Sequence, residues 1–197
     1  GFPEGWGNTL LWIESSGASH VRALAQDEIL RIQGGDEALS RGLRGKPLEL
    51  RHLVRQALGE GAVGMSAGLE YAPGRWSTTD EVAALAEELL PYDGVYISHE
   101  RSEGADPMWF WPSQDEPGPP TLQDAVMETI EIGRRSGARV VASHIKAKGA
   151  HYWGSAGSAI QLIQRGRDEG VRVWADQYPY ATSGSDGNTV LIPRWAL

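Results

Sequence analysis

From about residue 47 onward, short apolar runs that suit strands alternate with amphipathic runs that suit helices, and this alternation confines the chain to few folds. Residues 47–59 carry Leu48, Leu50, Leu53, Val54, Ala57 and Leu58 at helical spacing, and residues 61–65 then read as a short buried strand. Thr78-Thr79-Asp80-Glu81 reads as a capping box that opens a helix through about Leu90, with Val82, Leu85 and Leu89 on one face. Residues 94–98 are the next strand, and residues 121–136 a helix that Gly137 suits as C-cap. Residues 139–143 follow as a strand, 156–167 as a helix and 171–175 as a strand. The strand centres, near 63, 96, 141 and 173, stand about 33, 45 and 32 residues apart. Strand, helix, strand at that period means parallel βαβ units with right-handed crossovers. A doubly wound sheet and a (β/α)₈ barrel both meet the pattern, but no G-x-G-x-x-G opens the first helix after a strand, which weakens the dinucleotide-binding sheet.

Composition narrows the partners. The 197 residues carry 18 Lys plus Arg against 26 Asp plus Glu, a net charge of −8. That balance argues against nucleic acid or an anionic membrane, both of which call for clustered cations. The chain has no cysteine, which removes disulfides, thiolate metal ligands and a Cys nucleophile within these residues. No apolar run approaches the ~18 residues of a membrane helix. Residues 1–46 are less patterned, with residues 10–13 a candidate strand and 23–32 a candidate helix. The chain starts without Met and stops in the apolar run Leu191-Ile192-Pro193-Arg194-Trp195-Ala196-Leu197, so an internal piece of a longer protein is expected. No second domain shows, and residues 1–197 read as a single incomplete barrel domain with an inserted loop at 101–120. That loop lacks periodicity, holds five prolines and carries Met108-Trp109-Phe110-Trp111, as a lid, a binding loop or an aromatic plug would.

Two strands end alike. Ile97-Ser98-His99-Glu100-Arg101 and Ala142-Ser143-His144-Ile145-Lys146 both read Ser-His-x-cation at the C-terminal end of a strand, the edge where ligands gather in parallel α/β folds. Alternation puts His144 and Lys146 on one face, and His99 with Arg101 if the strand continues. Two strand-end imidazoles aimed at one mouth offer two neutral nitrogens to a divalent cation, Zn²⁺ being the commonest case. Taken singly, either histidine also fits a plain hydrogen-bonded structural role. His20, His52 and His151 read as structural or surface residues. Lys146 suits an anionic substrate group, or a Schiff base if it is desolvated. Residues 182–189, with Ser183 near their start, can present amides to an anion or form a plain turn.

Gly61-Ala62-Val63-Gly64-Met65-Ser66-Ala67-Gly68-Leu69-Glu70-Tyr71-Ala72-Pro73-Gly74, Ser98-His99-Glu100-Arg101, Ser143-His144-Ile145-Lys146 and Asp176-Gln177-Tyr178-Pro179-Tyr180, in this order, together resemble the N-acyl-D-amino-acid deacylase (D-aminoacylase) family of the amidohydrolase superfamily. The likeness covers residues 47–197 well and the first 46 weakly. It implies a partial (β/α)₈ TIM barrel of the metal-dependent hydrolase type, holding the middle strands only. It also implies Zn²⁺, one or two ions, and hydrolysis of an N-acyl amide or related C–N bond by a metal-activated water. His99 and His144 match the family's strand-end ligands, Lys146 and Tyr71 match groups that hold the substrate carboxylate, and Tyr178 matches a tyrosine beside the acyl group. Ser183 joins them as a substrate-contact candidate. The family's His-x-His pair and bridging Cys are absent here, and its general-base Asp is expected beyond Leu197, so this stretch alone is expected to be inactive. The loop at 101–120 exceeds the family's compact connection, which leaves substrate size open.

The expected partner is therefore a small-molecule substrate, with no nucleic acid and no membrane, self-association into a homo-oligomer left open, and a cytoplasmic setting. Two competing readings remain: a Schiff-base lyase or aldolase barrel built on Lys146, and a non-catalytic barrel scaffold with Trp109 and Trp111 as interface anchors.

Overall fold

The computed structural model describes residues 47–70, 74, 77–105, 107 and 120–184. The candidate strand at 10–13, the candidate helix at 23–32, His20, Tyr71 and residues 108–119 with both tryptophans lie outside the described residues.

Helix α1 (Pro47–Gly59) leads into strand β1 (Gly64–Gly68). The strand starts three residues later than its apolar run predicts, because the turn that closes α1 takes up Gly61 and Ala62. Gly61 N–H donates to the Leu58 carbonyl, and Ala62 N–H to that of Ala57. Helix α2 (Thr79–Ala86) follows, and Thr78 Oγ1 accepts the Glu81 amide at 3.2 Å as the N-cap. It tightens into a 3₁₀ turn over Glu87–Tyr92, where Pro91 lacks an amide to donate, before strand β2 (Val95–His99). The complete reciprocal capping box sits instead at Thr121 and Asp124, opening α3 (Leu122–Ser136), which Gly137 closes at φ 69°. Strand β3 (Arg139–Ile145), helix α4 (Ala156–Asp168) and strand β4 (Val173–Gln177) complete the order. The start of β4 is displaced like that of β1, since the Val171 amide is still bonded to the Gly166 carbonyl at 2.9 Å.

The four strands form one parallel sheet in the order β1-β2-β3-β4. Sequential order decides between the two architectures. A doubly wound sheet reverses direction at a switch point, whereas right-handed crossovers without reversal put every helix on one face, as in a barrel. Across the register Met65, Tyr96, Val140 and Val173 align and are each at most 2% exposed beneath the helices. The next row, Ser66, Ile97, Val141 and Trp174, faces the other way, and Ile97 and Trp174 are 37% and 42% exposed. That inner face is an apolar hollow lined by Val63, Val95, Val141 and Trp174, the side a complete barrel fills with its own side chains. The fold is thus α/β, a run of consecutive units of a (β/α)₈ barrel. No helix among the described residues is long and apolar enough to cross a membrane.

Candidate metal centre

His99 closes β2, and its register partner on β3 is Ser143. In a regular strand Ser143 would therefore face the barrel interior beside His99, and His144 would turn to the helix side. A bulge intervenes. The β3–β4 register shifts between Ala142 and Ile145, and His144 sits at φ 43°, a left-handed conformation uncommon outside glycine. Asp176 on β4 clasps this bulge: its carboxylate accepts the His144 backbone N–H and the Ser143 hydroxyl, the latter at 3.1 and 3.2 Å. The clasp offsets the backbone strain and turns the His144 ring toward His99.

The result is a facing pair. His99 Nδ1 lies 2.8 Å from His144 Nε2, with ring centroids 4.5 Å apart and planes crossing at 70°. Lys146, just past the end of β3, approaches the same ring, with Nζ 3.1 Å from His144 Nδ1 and 4.6 Å above the Tyr178 ring. Tyr178 stands edge-on to His144 at 6.4 Å and to Tyr180 at 5.8 Å. Ser183 is exposed beyond β4, and nothing joins it to the pair among the described residues. His52 and His151 are exposed, far in character from this cluster.

Arg101 departs from the alternation. The strand stops at His99, and the Arg101 guanidinium turns to α3, donating to Glu128 at 2.7 and 2.9 Å and to the Ser77 carbonyl at 2.8 Å. Glu100 is buried beside it, its oxygens each 3.0 Å from the Thr129 hydroxyl, and burial pushes its carboxyl well above the usual range.

Two acidic residues packed against the histidine pair are not marked as site residues by any motif in the sequence. Glu103 is 3% exposed and receives Lys146, Lys148 and His144 Nδ1, the last two at 2.7 and 3.1 Å. Burial alone would raise its carboxyl, but these three partners together hold it below the usual carboxylate range. Glu70 is 2% exposed, with Oε2 3.4 Å from His99 Nε2 and 3.7 Å from Lys148 Nζ. The signal in the sequence was the pairing of an acid near each strand end with the lysines at 146 and 148.

Two imidazoles and a carboxylate, with ligand atoms all within 4.8 Å of one another, form a donor set that suits Zn²⁺. Ligand nitrogens around a tetrahedral zinc stand about 3.3 Å apart, so the pair needs only a few tenths of an ångström of adjustment to hold one.

No family model matches the chain. It is 30% identical over 177 residues to the N-acyl-D-glutamate deacylase of Alcaligenes xylosoxydans xylosoxydans, covering 90% of this chain and 32% of that protein. It is 28% identical to the D-aminoacylase of the same organism, over 89% of this chain and 30% of the relative. The crystal structure of N-acyl-D-glutamate deacylase from Bordetella bronchiseptica, complexed with zinc and a phosphonate inhibitor that mimics the tetrahedral intermediate, superposes with TM-score 0.58 and 32% identity. The match covers 69% of this chain and 26% of that one. The chain thus spans about a third of the length of the curated relatives it matches. By sequence and by fold, it belongs to the N-acyl-D-amino-acid deacylase family of the amidohydrolase superfamily.

Proposed function

We propose that the full-length protein is a zinc-dependent hydrolase of N-acyl amino acids or closely related amides, and that this stretch supplies two of its metal ligands and part of its grip on the substrate carboxylate. The observation that carries the reading is the approach of His99 Nδ1 to His144 Nε2 at the C-terminal edge of a parallel sheet.

His99 and His144 would hold the ion, which supplies an activated water nucleophile and a Lewis acid for the amide carbonyl. The chain's own residues set the charge around it. Glu70 and Glu103 carry two negative charges, Lys146 and Lys148 two positive ones, and the histidines are neutral when they act as ligands. With the Asp176 carboxylate that clasps His144, the cluster carries a net −1, and a bound divalent ion leaves a net +1 that attracts an anionic substrate. Lys146 is the ammonium aimed at that substrate: its side chain is 16% exposed, steadied by Glu103 and by the Tyr178 face. Its ion pair with Glu103 suits carboxylate binding better than Schiff-base formation, which calls for an amine without such a partner. Tyr178 offers a phenol next to His144 for the acyl end. Tyr71 is the companion donor for the carboxylate, on the grounds of the motif alone.

The test is release of carboxylate and amine from N-acetyl-D-glutamate and N-acetyl-D-methionine by the full-length protein, before and after chelation. Zinc-dependent release supports the reading. A fully metal-loaded protein inert on N-acyl amino acids of either hand, or activity indifferent to chelator, contradicts it.

A further inference from the structure

We propose that Glu70 and Glu103 are positioning residues that fix the tautomers of His99 and His144, with Lys148 as the counter-ion they share. The proposal deepens the metal reading and rests on it.

Each imidazole has two nitrogens, and each ring is gripped at both. The inner atoms, His99 Nδ1 and His144 Nε2, face one another. The outer atoms each meet a nearly fully buried carboxylate: His99 Nε2 meets Glu70 at 3.4 Å, and His144 Nδ1 meets Glu103 at 3.1 Å. A carboxylate only accepts, so each favours the tautomer with its proton on the outer nitrogen. Both inner lone pairs are then directed at one point, the arrangement a cation needs and a neutral protein would not choose. Lys146 Nζ also lies 3.1 Å from His144 Nδ1, but an ammonium only donates, so it competes for that atom only when the proton is elsewhere.

Glu103 lies close enough to be counted as a ligand itself. Its commitments argue otherwise. One oxygen serves Lys146 and His144 Nδ1, and the other serves Lys148, so it meets His144 on the edge away from His99. Two buried carboxylates are expensive without compensation, since desolvating an ion costs several kcal/mol. Lys148 offsets both, at 2.7 Å from Glu103 and 3.7 Å from Glu70. Backbone pairing pins it there. Lys148 N–H donates to the Glu103 carbonyl at 2.7 Å, and Gly104 bridges Lys148 so closely that a Cβ would come 2.6 Å from the Lys148 oxygen. Three strand ends are thereby tied around the two histidines.

The test compares zinc affinity of the full-length parent, Glu70→Gln and Glu103→Gln, by competition with a chromophoric chelator, with circular dichroism as the check on folding. Visible spectra of the cobalt-loaded proteins supply a readout that a loss of stability alone would not move. Each variant is expected to bind zinc about 10- to 100-fold more weakly and to shift the cobalt bands. If Glu103→Gln does not fold, Glu70→Gln, acting on the other histidine, decides the matter by itself. Folded variants with parental affinity and spectra overturn the proposal while leaving the zinc reading intact. Loss of all binding in Glu103→Gln also overturns it, by making Glu103 a direct ligand. A parent that takes up no zinc overturns both readings together.

Discussion

The ends of β2 and β3 carry nearly the same sequence, yet they spend their cations in opposite directions. After Ser98-His99 the strand stops, and Arg101 swings back to Glu128 and the Ser77 carbonyl, riveting the strand end to α3. At Ser143-His144 a bulge turns the chain forward, and Lys146 packs against Glu103 and the Tyr178 ring. One strand end is anchored so that the other can be shaped. The contrast teaches that a repeated tetrapeptide fixes where the imidazoles lie along the sheet, while the backbone beyond each histidine decides whether the cation serves the scaffold or the site.

The largest effects should separate the two cations. Arg101 and Glu128 are 13% and 11% exposed, so Arg101→Met leaves this half-buried carboxylate with the Thr79 hydroxyl at 2.9 Å in place of its ion pair and should lower the unfolding free energy by about 2–3 kcal/mol in urea titrations. Lys146→Met leaves Glu103 with Lys148, so its loss of stability should be clearly smaller. It should instead lower kcat/KM on anionic substrates by more than about tenfold, as expected for a charge-assisted contact. Equal destabilisation by the two changes would break the comparison.

The bulge comes next. Asp176→Ala removes the acceptor of the His144 amide and the Ser143 hydroxyl, and should weaken zinc binding about 10- to 100-fold. Parental affinity in the alanine variant would mean that β3 holds its bulge without β4.

The smallest effect concerns Glu100 beneath His99. Its folded carboxyl is raised above the unfolded value of about 4.3, so its contribution to stability is fully present below that pH and is lost as pH rises toward the folded value. Glu100→Gln should therefore match the parent near pH 4 and unfold at a higher temperature than the parent at pH 8 in thermal melts. A parental pH profile would show that the carboxyl ionises freely.

The helical elements were legible because period and caps are local: the bounds of α1 match the apolar spacing, and Gly137 takes the left-handed cap its position demands. The starts of β1 and β4 were displaced because helix-closing turns use apolar residues that look like strand. The convergence of His99 and His144 was readable from their common place at strand ends. How His144 gets there was not, since alternation alone would turn it away and the clasp comes from Asp176 on another strand. Glu70 and Glu103 escaped notice for a similar reason. An acid in a loop reads as solvated until the fold shows Lys148 drawn between two of them.

Zinc titration of the folded full-length parent beside His99→Ala and His144→Ala tests the shared centre most directly. Each single substitution should cost more than the roughly 100-fold that loss of an outer-shell partner brings, because each removes a ligand of the same ion. Undiminished affinity in either variant would show that the two imidazoles do not hold one metal between them.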